Sequence, residues 1–122
     1  MEHKVLSMRP FIGAKNYDES RSFYRELGFV ETVLSDDMSV FKIENFAFYL
    51  QNAYIKDWID NTQIFLEVDN VERYFNALSI LSLQNKYKGK VRLTPIKNDV
   101  WGSECFLHDP SGILWHFGEF KK

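Results

Sequence analysis

Four residues near the C-terminus have the types that nucleophilic chemistry uses: Cys105, His108, Asp109 and His116. A thiol becomes a nucleophile when a neighbouring imidazole favours its thiolate, and that imidazole is best oriented by a carboxylate. Cys105 and His108 stand three positions apart on what reads as one strand, so they point to opposite faces and cannot form a triad with Asp109. The run Asp109-Pro110-Ser111-Gly112 has Pro and Gly where a tight turn wants them, which makes a hairpin of its flanks. With those four residues as the turn, Phe106 faces Trp115 and Cys105 faces His116. The cross-strand pair Cys105 and His116 is therefore the weak catalytic candidate, with Glu67 as the acid within reach. Its competitor is the commoner reading of Cys105 as a buried structural thiol. His3 reads as part of a chain end, and His108 as a surface or packing residue.

These residues need strands to hold them, and the strands need helices. Asn16 followed by Glu19 has capping-box spacing, and Tyr17, Ser20, Tyr24 and Leu27 then recur at helical intervals until Gly28. Val71, Tyr74, Leu78 and Leu81 repeat the pattern after Asp69 or Asn70. Each position of the first set maps onto the second by a shift of 54 residues, as do Pro10, Ile12 and Ala14 onto Ile64, Leu66 and Val68. The period predicts an internal duplication. Three strand-like runs follow each helix: Phe29 to Leu34, Met38 to Ile43 and Phe46 to Gln51, then Val91 to Ile96, Ser103 to His108 and Ile113 to Phe117. Each half reads βαβββ. The fold class is α+β, one domain over residues 1–122, with module 1 at about 7–52 and module 2 at about 61–120. In the last hairpin Ile113, Trp115 and Phe117 share the face expected to pack on a helix, leaving Leu114 and His116 on the other.

Composition narrows the function classes. Hydrophobic residues at 45% exclude a disordered chain, and 122 residues suffice for a real core. No apolar run has the length of a membrane span, and the first residues lack a signal-peptide pattern. The single Cys fits a reducing compartment, so cytoplasm is the expected location. A net charge of −2 argues for no polyionic partner. The stretch Lys86, Lys88, Lys90, Arg92 and Lys97 reads as a solvated loop and a lysine-guarded edge strand, not a nucleic-acid surface.

The segment Tyr17-Asp18-Glu19-Ser20-Arg21-Ser22-Phe23-Tyr24-Arg25-Glu26-Leu27-Gly28-Phe29 resembles the first helix of vicinal oxygen chelate proteins, with its S-x-x-F-Y-x-x-L-G-F signature. Trp101-Gly102-Ser103-Glu104-Cys105-Phe106-Leu107-His108-Asp109-Pro110-Ser111-Gly112 resembles the W-G-x-E-F-x-x-x-D-P-x-G run of the bleomycin-resistance branch, departing from it at Cys105. Asp36-Asp37 also matches that branch. The resemblance spans nearly the whole chain. It implies a curved mixed sheet, two modules forming a cleft, and a homodimer.

Metal-dependent members hold an ion with four side chains, and those positions fall here on Arg9, Tyr49, Gln63 and His116. Arg9 is permanently cationic and Tyr and Gln are rare ligands, so no metal and no other cofactor is expected. Strand parity gives a cleft face of aromatic walls with a few polar heads, as in an organic-ligand pocket. The resemblance makes Trp101 the leading ligand contact, and places Asp37 and Met38 near the ligand. Trp58 lines the same mouth or anchors its loop, Asp36-Asp37 also reads as a plain hairpin turn, and Phe11 and Phe65 read equally as core or as wall. Three functions follow. The first is a non-enzymatic binder sequestering a partly aromatic small molecule on Trp101, anchored by Arg9, Gln63 and His116. The second is an enzyme with an atypical metal site or the Cys105–His116 pair. The third is an interaction module whose cleft is filled by its own side chains.

Overall fold

A computed structural model describes residues 2–122. The elements in order are β1 (Phe11–Gly13), α1 (Tyr17–Glu26), β2 (Val30–Ser35), β3 (Met38–Ile43), β4 (Phe46–Gln51), α2 (Lys56–Asp60), β5 (Gln63–Glu67), α3 (Val71–Ile80), α4 (Leu83–Lys86), β6 (Arg92–Leu93), β7 (Lys97–Asn98), β8 (Gly102–His108) and β9 (Leu114–Phe120). The chain divides into two compact units, meeting between Ile55 and Lys56. Each unit has one mixed sheet, ordered β1-β4-β3-β2 in the first and β5-β9-β8-β6 in the second, with β7 also on β8. The expected α+β class and two βαβββ modules are found. Among the described residues no helix is long and apolar enough to cross a membrane.

Both long helices begin as their caps dictate. The Asn16 side-chain oxygen accepts from the Glu19 amide at 3.1 Å, and Asn70 accepts from Arg73 at 2.9 Å, each satisfying an otherwise orphaned donor. In the first unit α1 buries Phe23 and Tyr24 completely, and Tyr24 meets Phe29, Phe41 and Phe48 at centroid distances of 6.0, 5.7 and 4.9 Å. Rings at these distances add about 0.5–1.5 kcal/mol per pair beyond their burial.

A polar cluster fixes the edge of that core. Glu31, on β2, accepts from Arg21 at 2.6 Å, from Arg25 at 2.7 Å and from the buried Ser39 hydroxyl at 2.6 Å, and Ser39 in turn contacts the Tyr17 hydroxyl. Burial alone would raise the Glu31 pKa, but the bonds from Arg21, Ser39 and Arg25 outweigh it and hold the carboxyl below its ordinary range.

In the second unit α3 covers the face of β8 and β9 that carries Cys105, Leu107, Trp115 and Phe117, all buried. Tyr74 meets Phe117 at 4.9 Å. The expected face of Ile113, Trp115 and Phe117 is therefore the core face. The second strand of this module is broken in two, as β6 and β7. Pro95 supplies no amide, and the chain holds to β8 there through Thr94, whose hydroxyl accepts from the Phe106 amide at 3.0 Å.

The β8–β9 turn differs from expectation by one residue. The Asp109 carboxylate is fully buried and accepts from the amides of Ser111, Gly112 and Ile113 at 2.9, 2.8 and 2.9 Å. The Asp109 amide donates to the Ile113 carbonyl, so Ile113 belongs to the turn and His108 pairs with Leu114. Consequently Cys105 pairs with Phe117 and Phe106 with His116. A slip of one residue exchanges every facing partner.

Two outcomes are expected. Asp109→Ala leaves three amides without their charged acceptor and destabilises the protein by about 2–4 kcal/mol in denaturant titration. Glu31→Gln costs about 1–3 kcal/mol at neutral pH. Because the folded pKa of Glu31 is depressed, this contribution is present above the ordinary glutamate range and lost as pH falls through the folded pKa. The stability gap between the variant and the parent therefore closes in acid.

Candidate functional site

The open face of the second sheet, opposite α3, holds a group of rings. Phe65 on β5 lies across Gly118 on β9, where a β-carbon would collide with its ring. Gly118 is thus a floor that lets an aromatic side chain lie flat. Trp101 and Phe120 complete the platform: centroids are 6.0 Å from Phe65 to Trp101, 5.7 Å from Phe65 to Phe120, and 5.3 Å from Trp101 to Phe120. Phe65 and Phe120 are 44% and 49% exposed, so this is surface and not core.

Polar groups border the rings. The Nε2 of His116 lies 2.8 Å from the Gln63 side-chain oxygen, and its Nδ1 lies 3.6 Å from the Glu104 carboxylate. The second distance gives attraction without a hydrogen bond. Phe106 stands edge-on to the His116 ring at 4.9 Å. Glu104 reaches this face because it alternates with Cys105 on β8, the consequence of the observed register. Further along β8, His108 pairs with Arg92. Burial and then the Arg92 charge lower its pKa.

The pair Cys105 and His116 does not exist. Cys105 is fully buried among core residues on the opposite face of the sheet, and burial, then the Glu104 charge, pushes its thiol up to about 11. It lacks both a neighbouring imidazole and the thiolate form at neutral pH.

In the first unit, Phe11 stacks on Tyr49 at 4.7 Å and the Arg9 guanidinium lies 5.9 Å from the Tyr49 ring. Arg9 Nε is buried with no hydrogen-bond partner. Met38 and Gln51 are cross-strand partners, their sulfur and amide nitrogen 4.0 Å apart. Asp37 is in the β2–β3 turn, where its carboxylate accepts from the Asn52 side chain at 3.2 Å and its carbonyl from the Asn52 amide at 2.8 Å. Trp58 lies half-buried on α2, its carbonyl accepting from the Thr62 hydroxyl at 2.7 Å.

The four positions that the resemblance equates with metal ligands do not fit a metal. Arg9 and Tyr49 pair with each other in the first unit, and the His116 ring faces Gln63 on one side and Glu104 on the other. A guanidinium offers no lone pair, and Glu104 is not one of the four. Among the described residues no group of three or more His, Cys, Asp or Glu is placed to hold a metal ion.

Sequence reasoning missed Glu104, Phe106 and Phe120. The first two were assigned to the wrong face by the one-residue turn, and Phe120 lies beyond the expected end of β9. Thiol-specific reagents should leave Cys105 unmodified in the native protein at pH 8 and modify it rapidly in denaturant. Fast native modification would contradict its placement.

No protein-family model and no curated protein matches the sequence. Solved structures do. A bleomycin-binding protein from Streptomyces verticillus, complexed with copper(II)-bleomycin, is similar with TM-score 0.79 and 20% identity, over 98% of this chain and 99% of that one. An antibiotic-binding protein from a Streptomyces species gives 0.72 and 16%, over 98% and 100%. A lactoylglutathione lyase from Agrobacterium tumefaciens gives 0.70 and 14%, over 93% and 92%. The chain has the paired-module fold that these bleomycin-binding and glyoxalase-type proteins share.

Proposed function

We propose that this protein is a non-enzymatic binder that sequesters a small, partly aromatic molecule. The observation that carries the reading is the exposed platform of Phe65, Trp101 and Phe120, bordered by Gln63, His116 and Glu104. A flat ligand gains stacking area on the rings, while the polar border orients it and accepts its N–H groups. The bleomycin-binding and antibiotic-binding proteins of the same fold support capture over catalysis. In the first module Arg9, with Nε lacking an acceptor, and Tyr49 offer a contact to an anionic group such as a carboxylate or phosphate. Asp37, Met38 and Trp58 are proposed as peripheral contacts. The two modules act as one domain, in a homodimer in the cytoplasm. Exposed Val33, Leu34 and Phe46 support a partner surface, for which sedimentation is the measurement.

A thermal-shift screen against bleomycin-type glycopeptides, aromatic carboxylates, glutathione adducts and divalent metals should raise the melting temperature with an aromatic organic compound. Trp101→Ala should weaken that compound about 10- to 100-fold, the range that loss of one stacking ring produces. Gly118→Ala should weaken it too, by displacing the Phe65 ring while the protein stays folded. No shift with any class would favour a platform filled by its own side chains, and a shift with metal alone would restore the enzymatic alternative.

A further inference from the structure

The duplication breaks after α3, and a cavity lies at the break. After α1 the chain reaches β2 across residues 27–29, whereas after α3 it spends residues 81–91, with α4 among them, before β6. The repeat itself requires no such segment, and insertions of this kind commonly carry binding functions. The inserted chain bends through Ser82, whose φ of 54° lies in the left-handed region that serine occupies only under strain. That bend turns Leu83 inward, leaving it 4% exposed.

Between α3, α4 and β6 this geometry leaves a cavity of about 380 Å³, within the range of small-molecule sites. It lies on the helix side of the sheet, away from the aromatic platform. Its floor is apolar, formed by Phe75, Leu78, Leu83, Val91 and Leu93. Its rim is neutral and hydrogen-bonding, formed by Ser79, Ser82, Gln84 and Asn85. The Ser79 hydroxyl is engaged by the Phe75 carbonyl at 2.9 Å, while the Ser82 side chain makes no capping bond to α4. No ionisable side chain is among the described residues that line it.

We propose that this cavity is a second binding site, separate from the platform, for an uncharged organic molecule with an apolar body and one hydrogen-bonding end, such as an amide. The apolar body replaces water over the floor. The polar end meets the serine hydroxyl and the two side-chain amides of the rim. A charged ligand would lose hydration with no counter-ion on the wall, so the site discriminates by charge.

The test is a titration of the ¹⁵N-labelled full chain with benzamide and hexanamide, and with benzoate and benzylamine as charged counterparts of similar shape. The neutral amides should shift amide resonances of residues 75–93 saturably, and the charged probes should bind at least about tenfold more weakly, as uncompensated burial of an ion requires. Ser79→Phe, at an exposed helix position, should fill the cavity and abolish the shifts. Gln84→Trp serves the same purpose should the first variant fail to fold. The proposal is overturned by absence of saturable shifts with the neutral probes, by equal binding of benzoate, or by shifts that persist in a folded, filled variant.

Discussion

A single buried carboxylate organises the second module. Asp109 lies at the base of the β8–β9 turn with no exposure, and three main-chain amides converge on one of its oxygens. An anion so placed would be costly without those donors, and the donors would be orphaned without it. The mutual requirement draws Ile113 into the turn and sets which residues of β8 and β9 face each other. Everything that distinguishes the two faces of this sheet follows from that register. Cys105 and Leu107 join Trp115 and Phe117 beneath α3, while Glu104 and Phe106 join His116 on the open side.

The two modules apply one plan with different anchors. In the first, a cluster of rings around Tyr24 fills the space under α1, and the bonds from Arg21, Arg25 and Ser39 to Glu31 tie the edge strand to the helix. In the second, the helix rests on Trp115 and Phe117, and the strand that should mirror β2 is interrupted at Pro95 and preceded by an insertion. The first copy keeps the repeat intact, and the second departs from it with a segment that adds Leu83, Tyr87 and Val91 to the core. Solved structures at 20% identity or less reach the same fold, as expected where patterning and volume, more than identity, specify a core.

In the proposed function, the chemistry of the open face serves retention of a ligand. Rings in mutual contact present flat apolar area, and an imidazole between an amide and a carboxylate gives orientation. The one thiol is remote from that imidazole, and burial keeps it protonated. The four positions that the sequence resemblance equates with metal ligands carry a guanidinium, a phenol, an amide and an imidazole, a set without the negative charge that a divalent ion needs.

The sequence by itself determined the class of fold, the duplication, the first helix cap and most strand limits. These rest on local rules: a side-chain oxygen near free amides, a period of 3.6 or 2, and turn residues between runs. β3 and β4 appear at the expected residues because their turns are short and their alternation is regular. Trp101, Gln63 and His116 were legible as polar or aromatic residues on one face of the sheet. Only the tertiary structure decided the membership of that face. Whether Asp-Pro-Ser-Gly closes with four residues or takes in a fifth depends on burying Asp109, a long-range condition that no local pattern encodes. That one residue removed Cys105 from the site and brought in Glu104 and Phe106. The role of Gly118 as the floor for Phe65, and the cavity beside α4, likewise depend on neighbours distant in the chain. Three-dimensional packing supplies them, and periodicity cannot.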